Sequence, residues 1–469
     1  MSNEDRSIKP RLRGAIYSLT ALMAVSVMAC AKKEGAAAAS DTSGASSSTV
    51  ASSGTTCPGH NGGLTLPPGF CATIFADSIG HARHIVVNSN GDVYVNTWGG
   101  RYYTTPAHPG GFLVALRDTS NDGVADIVKR FGPDSVHGSG GGTGIGIYKG
   151  SLYAEQFVAG SAKIVRYAIS TDNMTPTSPA SETIVSGLPI SGDHPMHPFA
   201  IGQAGDMYMD LGSATNSCQI KNRTLESPGP KPCTELVTRA GIWRYDANKT
   251  NQTFSQKERY ATGIRNAVGI ALDPGGQLYS TQHGRDQLYD NWPKLYTQEQ
   301  GENLPAEELL KIVQGGDYGW PYCYYDGSQQ KLVLAPEYVG DGKKVGECAS
   351  KLAPAEFFPA HWAPDGLVFY SGTAFPAHYK GGAFIAFHGS WNRAPGPQQG
   401  YNVVFVPFAN GKPVDPSKYE IFADGFAGAK KDPDAAAHRP TGVTVSPDGA
   451  LYITDDKAGR VWKVVYKGP

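Results

Sequence analysis

The sequence predicts an all-β protein folded as a six-bladed β-propeller. Three observations lead to this prediction: the residue composition, a recurring unit of turn and strand, and the spacing of that unit. The 469 residues include 58 Gly and 24 Tyr, and only 18% are charged. Such a composition favours short aromatic strands joined by tight turns over long helices.

The recurring unit is a Gly-containing turn followed by an aromatic residue and a short strand. It reads SNGDVYVNTWGG, YKGSLYAEQF, QAGDMYMDLG, PGGQLYSTQHG, KGGAFIAFHGS and PDGALYITDD. Its aromatic residues are Tyr94, Tyr153, Tyr208, Tyr279, Phe384 and Tyr452. Six units suggest six four-stranded blades, and a closed ring of blades leaves only short, protected edges. A β-sandwich with repeated hairpins is the alternative, but regular spacing over the whole chain favours the propeller.

The widest spacing, between Tyr279 and Phe384, has room for inserted segments. There the stretch NLPAEELLKIVQGG, residues 303–316, is the best helix candidate. Pro305 lies near its start, and Glu307 and Glu308 would occupy the first turn, where acidic residues are favoured.

The first 56 residues are expected to lie outside the folded domain. Residues 1–29 combine a charged segment with the apolar stretch AIYSLTALMAVSVMA, which predicts a lipoprotein-type signal peptide. VMAC resembles a lipobox, so Cys30 is the expected lipidation site; a plain cleavable signal is the alternative. Residues 30–56 then form an Ala/Ser/Gly tether and residues 57–469 the catalytic propeller. We therefore expect an exported protein of the cell envelope, in the periplasm or at the cell surface, attached to the membrane by its lipid alone.

Six cysteines follow Cys30, and an even number in an exported chain suggests disulfides. Their spacing predicts three local bridges: Cys57–Cys71, Cys218–Cys233 and Cys323–Cys348. The formal net charge is −1, and basic residues do not cluster outside the N-terminus. Nucleic acid is therefore not an expected partner.

Several polar residues precede the strands expected to line the central channel, where the loops of a propeller meet at one mouth. SGDHPMHPFAIG places Asp193, His194 and His197 there, and ATGIRNAVGIAL places Arg265 and Asn266. Other residues in comparable loops are His137, Ser139, His361, Asp365, His438 and Arg439. An Asp beside a His can keep the imidazole oriented and basic, and arginines can stabilise a developing anion. The pattern predicts a catalytic site at the mouth.

These stretches, with GGDYGWPYCYYD, FHGSWNR and HRPTGVTVSPDGALYITDD, resemble the soluble pyrroloquinoline quinone (PQQ) dependent sugar dehydrogenases, particularly the branch named for sorbosone dehydrogenase. The resemblance covers about residues 64–466. It implies a propeller with PQQ at the channel mouth, held by calcium and basic side chains.

The resemblance also implies individual roles. His194 would be the general base, oriented by Asp193, and His197 a substrate contact, although a structural role is the alternative for His197. Cofactor-binding residues would be Arg265, Asn266, Arg393 and Arg439, with Arg265 near the quinone carbonyl. Glucose-oxidising members read Q-G-P where this chain reads Q-H-G-R-D, so His283, Gly284 and Asp286 are assigned to calcium by position.

The implied reaction is oxidation of an aldose or a related sugar or aldehyde by hydride transfer to PQQ. The electrons would then pass to an external acceptor. Two alternatives are a calcium-dependent propeller lactonase, which needs no arginine cluster, and a non-catalytic propeller that binds a ligand.

Overall fold

The structure is a six-bladed β-propeller, as the sequence predicts. This computed structural model describes residues 57–99, 109–134, 140–170, 172–393 and 395–468. The predicted signal peptide, tether and lipidated Cys30 lie outside the described residues, as do His137 and Ser139.

The first three blades follow one another along the chain. Before them comes β1 (Phe70–Ala76), which belongs to the last blade. Blade 1 contains β2 (Ala82–Val87), β3 (Val93–Thr97), β4 (Leu113–Arg117) and β5 (Ile127–Phe131). Blade 2 contains β6 (Gly140–Tyr148), β7 (Ser151–Val158), β8 (Ser161–Ala168) and β9 (Glu182–Leu188). Blade 3 contains β10 (Phe199–Ile201), β11 (Asp206–Leu211), β12 (Gly241–Asp246) and, after the short β13 (Gln252–Thr253) that pairs with β9, β14 (Arg259–Thr262).

The last three blades carry two additional hairpins. Blade 4 contains β15 (Ile270–Leu272), β16 (Leu278–Gln282), β17 (Glu307–Lys311) and, after the hairpin β18 (Cys323–Asp326) and β19 (Lys331–Leu334), β20 (Glu356–Phe358). Blade 5 contains β21 (Pro364–Phe369), β22 (Ala383–Phe387), β23 (Asn402–Val406) and, after the hairpin β24 (Phe408–Ala409) and β25 (Lys412–Pro413), β26 (Glu420–Ala423). Blade 6 contains β27 (Pro440–Val445), β28 (Leu451–Asp455) and β29 (Val461–Tyr466), completed by β1.

Helices are few and short in the described part of the chain. The α-helices are α1 (Leu288–Asn291) and α2 (Gln298–Asn303), and neither could span a bilayer. The 3₁₀ helices are Pro58–Gly63, Thr234–Val237, Gln256–Glu258, Pro336–Tyr338, Gly346–Ser350 and Ala377–Tyr379.

The predicted helix at residues 303–316 is wrong. Residues Glu307–Lys311 form β17, which pairs with β16 and β20 in the middle of blade 4. Leu309 packs between blades 4 and 5, whereas Leu310 packs between blades 3 and 4. A strand that is buried on both faces loses its alternation of polar and apolar residues, and it therefore resembles a helix in composition.

The hydrophobic core is divided among the six contacts between neighbouring blades. Each contact has its own buried cluster, for example Tyr94 and Leu113 against Leu152 and Val165 between blades 1 and 2. The other clusters follow the ring in the same way. Each blade is therefore stabilised by both of its neighbours rather than by an independent core.

The six repeated aromatic residues all lie on the second strand of a blade, which confirms the predicted repeat. Two residues further on, four blades carry a polar side chain that bonds to the inner strand or preceding loop of the next blade. We call these latch residues: Asn96, Glu155, Thr281 and Thr454. Their contacts with the next blade are Asn96 Nδ2 to Gly144 O (2.9 Å), His197 N to Glu155 Oε1 (2.9 Å), Thr281 Oγ1 to Pro364 O (2.7 Å) and Thr454 Oγ1 to Arg83 O (2.5 Å).

Several inner strands begin with an irregular register at the channel mouth. The pairing of β2 with β3 shifts between Ala82 and Ile85, and the pairing of β21 with β22 shifts between Pro364 and Gly366. Similar shifts occur in β6 and β27. Because a bulge redirects side chains, these irregularities turn Arg83 and Asp365 towards the channel.

The three predicted disulfides are all present. They join Cys57 to Cys71, Cys218 to Cys233 and Cys323 to Cys348. The last two close long inserted segments beside the channel mouth.

Candidate active site

A cavity of about 820 Å³ opens at the mouth of the channel. It is lined by loops that precede inner strands and by loops that follow second strands. The predicted site residues that line it are Asp193, His194, Arg265, Asn266, His283, Gly284, Asp286 and Arg439. The sequence therefore brings most of the expected chemistry to one place.

His194 is held in one tautomer by the exit of β11. Its Nδ1 lies 2.8 Å from the carbonyl oxygen of Ser213, and because a carbonyl only accepts, Nδ1 must donate. Gly212 permits this approach, since a Cβ there would come within 2.6 Å of the His194 Cβ. Burial, reinforced by the nearby Arg265, lowers the pKa of His194 well below its ordinary value. The imidazole is therefore neutral, with Nε2 unprotonated and able to accept a proton.

Asp193 does not hold this imidazole in the way the sequence predicts. The ring nitrogen that an orienting carboxylate would contact is bonded to Ser213, while the Asp193 carboxylate lies 3.1 Å from Nε of Arg223. The orienting role therefore belongs to the Ser213 carbonyl. The correction has a simple origin, because consecutive residues in an extended loop direct their side chains apart.

Arg265 is buried in the cavity wall and fixed by several acceptors. Its Nε and Nη2 donate to the carbonyl and side-chain oxygens of Asn216 at 3.0 and 2.9 Å, and Nη2 also lies 3.0 Å from Asp286 Oδ2. Its main-chain N–H donates to Gln282 Oε1 at 2.8 Å. These contacts hold a guanidinium rigidly beside the cavity.

Asp286, one of the residues predicted to bind calcium, is already paired with two arginines. Asp286 Oδ2 is shared by Arg265 and Arg223, each at 3.0 Å, and Oδ1 accepts from Asn392 at 2.6 Å. Although burial opposes ionisation, Arg265 and Arg223 hold the pKa of Asp286 well below its ordinary value. Calcium needs six to eight oxygen ligands, and a carboxylate already occupied by two guanidinium groups is not available.

His283 and Gly284 are engaged elsewhere as well. His283 Nε2 lies 3.0 Å from Asp365 Oδ1, and the Gly284 N–H donates to Glu307 Oε2 at 2.9 Å. Asp286 is therefore the anchor of two arginines. The assignment of this loop to calcium stays a prediction, because Gly284 would bind the ion through its carbonyl oxygen and not through its N–H.

A second group of charges in the cavity lining joins three blades. Arg83 Nη1 lies 3.3 Å from Asp365 in blade 5 and 2.6 Å from Asp456 in blade 6. Asp456 Oδ1 is in turn 2.8 Å from His388 Nε2. Arg83 thus links blade 1 to blades 5 and 6 across the channel. The sequence analysis missed both residues: Arg83 stands in no motif, and Asp456 is the last residue of PDGALYITDD, which was interpreted only as a repeat unit.

Arg439 and Lys457 bring positive charge to the opposite side of the cavity. Arg439 donates to the carbonyl oxygens of His388 and Gly389 at 3.1 and 2.7 Å, and Lys457 donates to those of Pro433 and Asp434 at 2.7 and 2.8 Å. Main-chain carbonyls fix these cations without neutralising their charge. This side of the cavity is consequently suited to an anion.

Two predicted site residues lie outside the cavity. Arg393 donates to the carbonyl oxygens of Glu302 and Pro397, so it ties its loop to α2 instead of facing a cofactor. His197 is 1% exposed, and its Nδ1 lies 2.8 Å from Glu155 Oε1. This buried contact supports the structural alternative for His197.

The loop that carries Arg393 reaches the cavity through other residues. His388, Gly389, Trp391 and Asn392 line the cavity. Trp391 is 54% exposed and lies at the rim. The motif FHGSWNR therefore marks a loop that reaches the cavity, although the side chain of Arg393 lies outside the cavity lining.

The fold and site define a six-bladed propeller whose channel mouth holds a cavity lined by arginines, a lysine and carboxylates, with a neutral histidine among them. A family model described as TrAA12-like matches residues 64–467, so the chain belongs to the TrAA12-like family.

Individual relatives show the same likeness over parts of their length. The chain is 29% identical to an uncharacterized protein of Borreliella burgdorferi over 219 residues, which are 46% of this chain and 51% of that protein. It is 28% identical to the pyrroloquinoline quinone-dependent pyranose dehydrogenase of Coprinopsis cinerea over 233 residues, which are 43% of this chain and 30% of that protein. The chain thus spans about half or less of these curated relatives.

A solved calcium structure of the Trichoderma reesei Carbohydrate-Active Enzymes Family AA12 protein superposes on the chain with a TM-score of 0.67. The two sequences are 20% identical, and the superposition covers 86% of this chain and 97% of the Trichoderma reesei chain. At 20% identity, this similarity shows a shared fold and nothing more.

Proposed function

We propose that this protein oxidises a sugar, an aldose or a related aldehyde, with PQQ as its cofactor. The observation that carries the proposal is His194, a neutral imidazole whose Nδ1 is committed to Ser213 and whose Nε2 is unprotonated at a cavity that also contains arginines and a lysine. Membership in the TrAA12-like family and the likeness to a PQQ-dependent pyranose dehydrogenase support the choice of cofactor and substrate class.

The residues present fit PQQ, which is a planar ortho-quinone bearing three carboxylates. Arg439 and Lys457 offer positive charge that main-chain carbonyls leave available. Asn266 lines the cavity with a buried amide oxygen that has no hydrogen-bond partner among the described residues. Arg439 and Lys457 would therefore hold carboxylates, while Asn266 and Arg265 would hold the polar edge of the ring system.

The chain's own residues supply the acid–base chemistry. His194 Nε2 takes the proton from the sugar hydroxyl, and its Nδ1–H keeps the bond to Ser213 throughout. Arg265, anchored by Asp286, presents a fixed positive charge where negative charge develops. When bound, PQQ supplies the quinone that accepts two electrons as a hydride from the sugar carbon.

Calcium is assigned no step here, because Asp286, one of its predicted ligands, is shared by Arg265 and Arg223. An external electron acceptor would be needed to restore the oxidised cofactor. The guanidinium groups also weigh against the lactonase alternative, which requires acidic and amide oxygens around a metal instead.

The test is reconstitution of the full chain with PQQ, followed by a screen of sugars with an artificial dye as electron acceptor. We expect dye reduction with at least one aldose. Replacing His194 with Gln should lower turnover about 100- to 10000-fold while PQQ still binds, because only the proton acceptor is lost.

The matched control is His378→Gln, which changes an exposed histidine paired with Glu420 far from the cavity. It should keep wild-type turnover. Absence of PQQ binding, or normal turnover by a PQQ-bound His194→Gln protein, would refute the proposal.

A further inference from the structure

A segment of blade 3 that is closed by a disulfide forms part of the cavity wall. Residues 212–240 connect β11 to β12, and the Cys218–Cys233 disulfide closes most of this connection into a loop. Both cysteines are buried, and Glu235 accepts hydrogen bonds from the main-chain N–H groups of Ala214 and Thr215 at 2.7 and 3.1 Å. The two ends of the connection are thus fixed to each other.

The loop carries Arg223 into the cavity, between two carboxylates. Arg223 Nε lies 3.1 Å from Asp193 Oδ2, and Nη2 lies 3.0 Å from Asp286 Oδ2. Its Nη1 donates to Gln287 Oε1 at 3.1 Å. The backbone at Arg223 has a φ of 55°, a conformation unusual for a residue with a side chain. The loop closure therefore directs this guanidinium to a site that the local chain does not favour.

These contacts connect Arg223 to the groups that the proposed reaction uses. Asp193 directly precedes His194 in the chain, and Asp286 is also the anchor of Arg265 at 3.0 Å. Without Arg223, two carboxylates would lose a cation on the wall of a cavity that we propose to hold a tricarboxylate. An unbalanced carboxylate in such a place repels an anion and no longer holds its neighbours in position.

We propose that Arg223 and the Cys218–Cys233 disulfide together form a clamp that balances the charge of the cavity wall and positions Arg265. Arg223 is a positioning residue in this clamp, because it acts through Asp193 and Asp286. The proposal rests on the proposed function for the identity of the ligand, and it makes the affinity for an anionic cofactor depend on one particular disulfide.

The first test measures PQQ binding to the apoprotein by quenching of tryptophan fluorescence, since Trp98 and Trp391 line the cavity. Arg223→Met should weaken PQQ binding about 10-fold or more, because one cation is lost. The double variant Arg223→Met/Asp193→Asn restores the charge balance and should bind PQQ within about 3-fold of the wild type.

Both alternative outcomes of this test would overturn the clamp. If the double variant binds as weakly as Arg223→Met, Arg223 contacts the ligand itself and is not a positioning residue. If Arg223→Met binds PQQ normally, its charge has no role in the cavity.

The second test uses two disulfides that close loops of nearly equal length. Cys218→Ala/Cys233→Ala removes the clamp bridge, whose cysteines are 15 residues apart and enclose Arg223 of the cavity wall. Cys57→Ala/Cys71→Ala removes a bridge whose cysteines are 14 residues apart and enclose no residue that lines the cavity. Similar loop lengths predict similar losses of stability. Only the first pair should weaken PQQ binding; equal effects of the two pairs would refute the clamp.

A third measurement needs no ligand. Thermal unfolding midpoints of the wild type, Arg223→Met, Asp193→Asn and the double variant should be non-additive, with the double variant more stable than the summed shifts predict. Additive shifts would overturn the clamp. If the wild type binds no PQQ, the proposed function is refuted. The comparison of the four unfolding midpoints would still test whether Arg223 and Asp193 are coupled as the clamp requires.

Discussion

Carboxyl groups buried in blade 4 make the protein sensitive to pH. Glu308 on β17 is buried, and burial raises its pKa to about 8. Its Oε1 accepts from Gln282 Nε2 at 3.0 Å, whereas its Oε2 has no partner among the described residues. Gln282 in turn holds the main-chain N–H of Arg265. A protonated Glu308 therefore supports the cavity wall better than an ionised one.

We predict that Glu308→Gln removes a loss of stability at neutral pH. The pKa of Glu308 is higher in the folded state than in the unfolded state. The contribution of Glu308 to the free energy of unfolding is therefore full below about pH 4.5, and it is lost as the pH rises to about 8. Relative to the wild type, Glu308→Gln should gain about 2 kcal/mol between pH 5 and pH 7. Denaturant unfolding at the two pH values measures this gain.

The control for this prediction is Glu182→Gln, since Glu182 is exposed and paired with Arg166 on the surface. It should shift stability equally at both pH values. A Glu308→Gln protein whose stability follows the wild-type pH dependence would contradict the prediction.

At the level of residues, sequence patterns predicted which loops reach the site better than which side chains enter it. His194 faces the cavity, yet His197, three positions later, turns into a buried contact with Glu155. In the loop FHGSWNR, Arg393 was likewise predicted to face the cavity, but Trp391 and Asn392 do so instead. Arg223 was not predicted at all, because it comes from an inserted loop whose path depends on a disulfide.

Among the structural elements, the latch residues show how neighbouring blades are joined. Thr281 Oγ1 donates to Pro364 O of blade 5 at 2.7 Å and accepts from the Gly269 N–H of its own blade at 2.9 Å. Both main-chain groups are buried near the channel. One hydroxyl thus satisfies a donor and an acceptor at the point where two blades meet.

We predict that Thr281→Val destabilises the protein by about 1–3 kcal/mol. Valine conserves the volume of the side chain but leaves a buried N–H and a buried carbonyl without this partner. Thermal or denaturant unfolding measures the loss. Thr183→Val, which changes a half-buried threonine on β9 outside the latch set, should cost much less. Equal losses in the two variants would show that the latch contact contributes nothing.

The elements themselves were predictable where a local signal repeats. The turn and aromatic residue of each second strand were visible in the sequence, and all six lie where the repeat places them. β17 was mistaken for a helix because Leu309 and Leu310 are buried against different blades, which removes the alternation that marks a strand. That burial depends on the assembled ring and cannot be read from a single segment.

For the molecule as a whole, attachment to the membrane stays a prediction. We expect the mature chain to begin at Cys30 and to carry a diacylglyceryl group there, because VMAC follows an apolar segment and precedes a tether with little to bury. Intact mass measurement of the chain from the membrane fraction checks this. A Cys30→Ser chain should lose membrane attachment, and an unlipidated wild-type chain that begins beyond Cys30 would contradict the prediction.

The ring is closed by strands from opposite ends of the described chain. β1 pairs with β29 from Phe70–Tyr466 to Ala76–Val461, so the fourth strand of blade 6 comes from the N-terminal side. Phe70 and Ala72 pack in the cluster between blades 5 and 6, and Phe75 packs between blades 6 and 1. β1 thus supports two of the six blade contacts at once.

We predict that deleting residues 57–76 prevents stable folding, whereas deleting the tether at residues 31–56 leaves the unfolding midpoint unchanged. Loss of β1 exposes β29 as an open edge and removes apolar side chains from two clusters, which promotes aggregation. Soluble yield and thermal unfolding distinguish the two deletions. A protein that lacks β1 yet unfolds cooperatively at the wild-type temperature would mean that the ring does not depend on this closure.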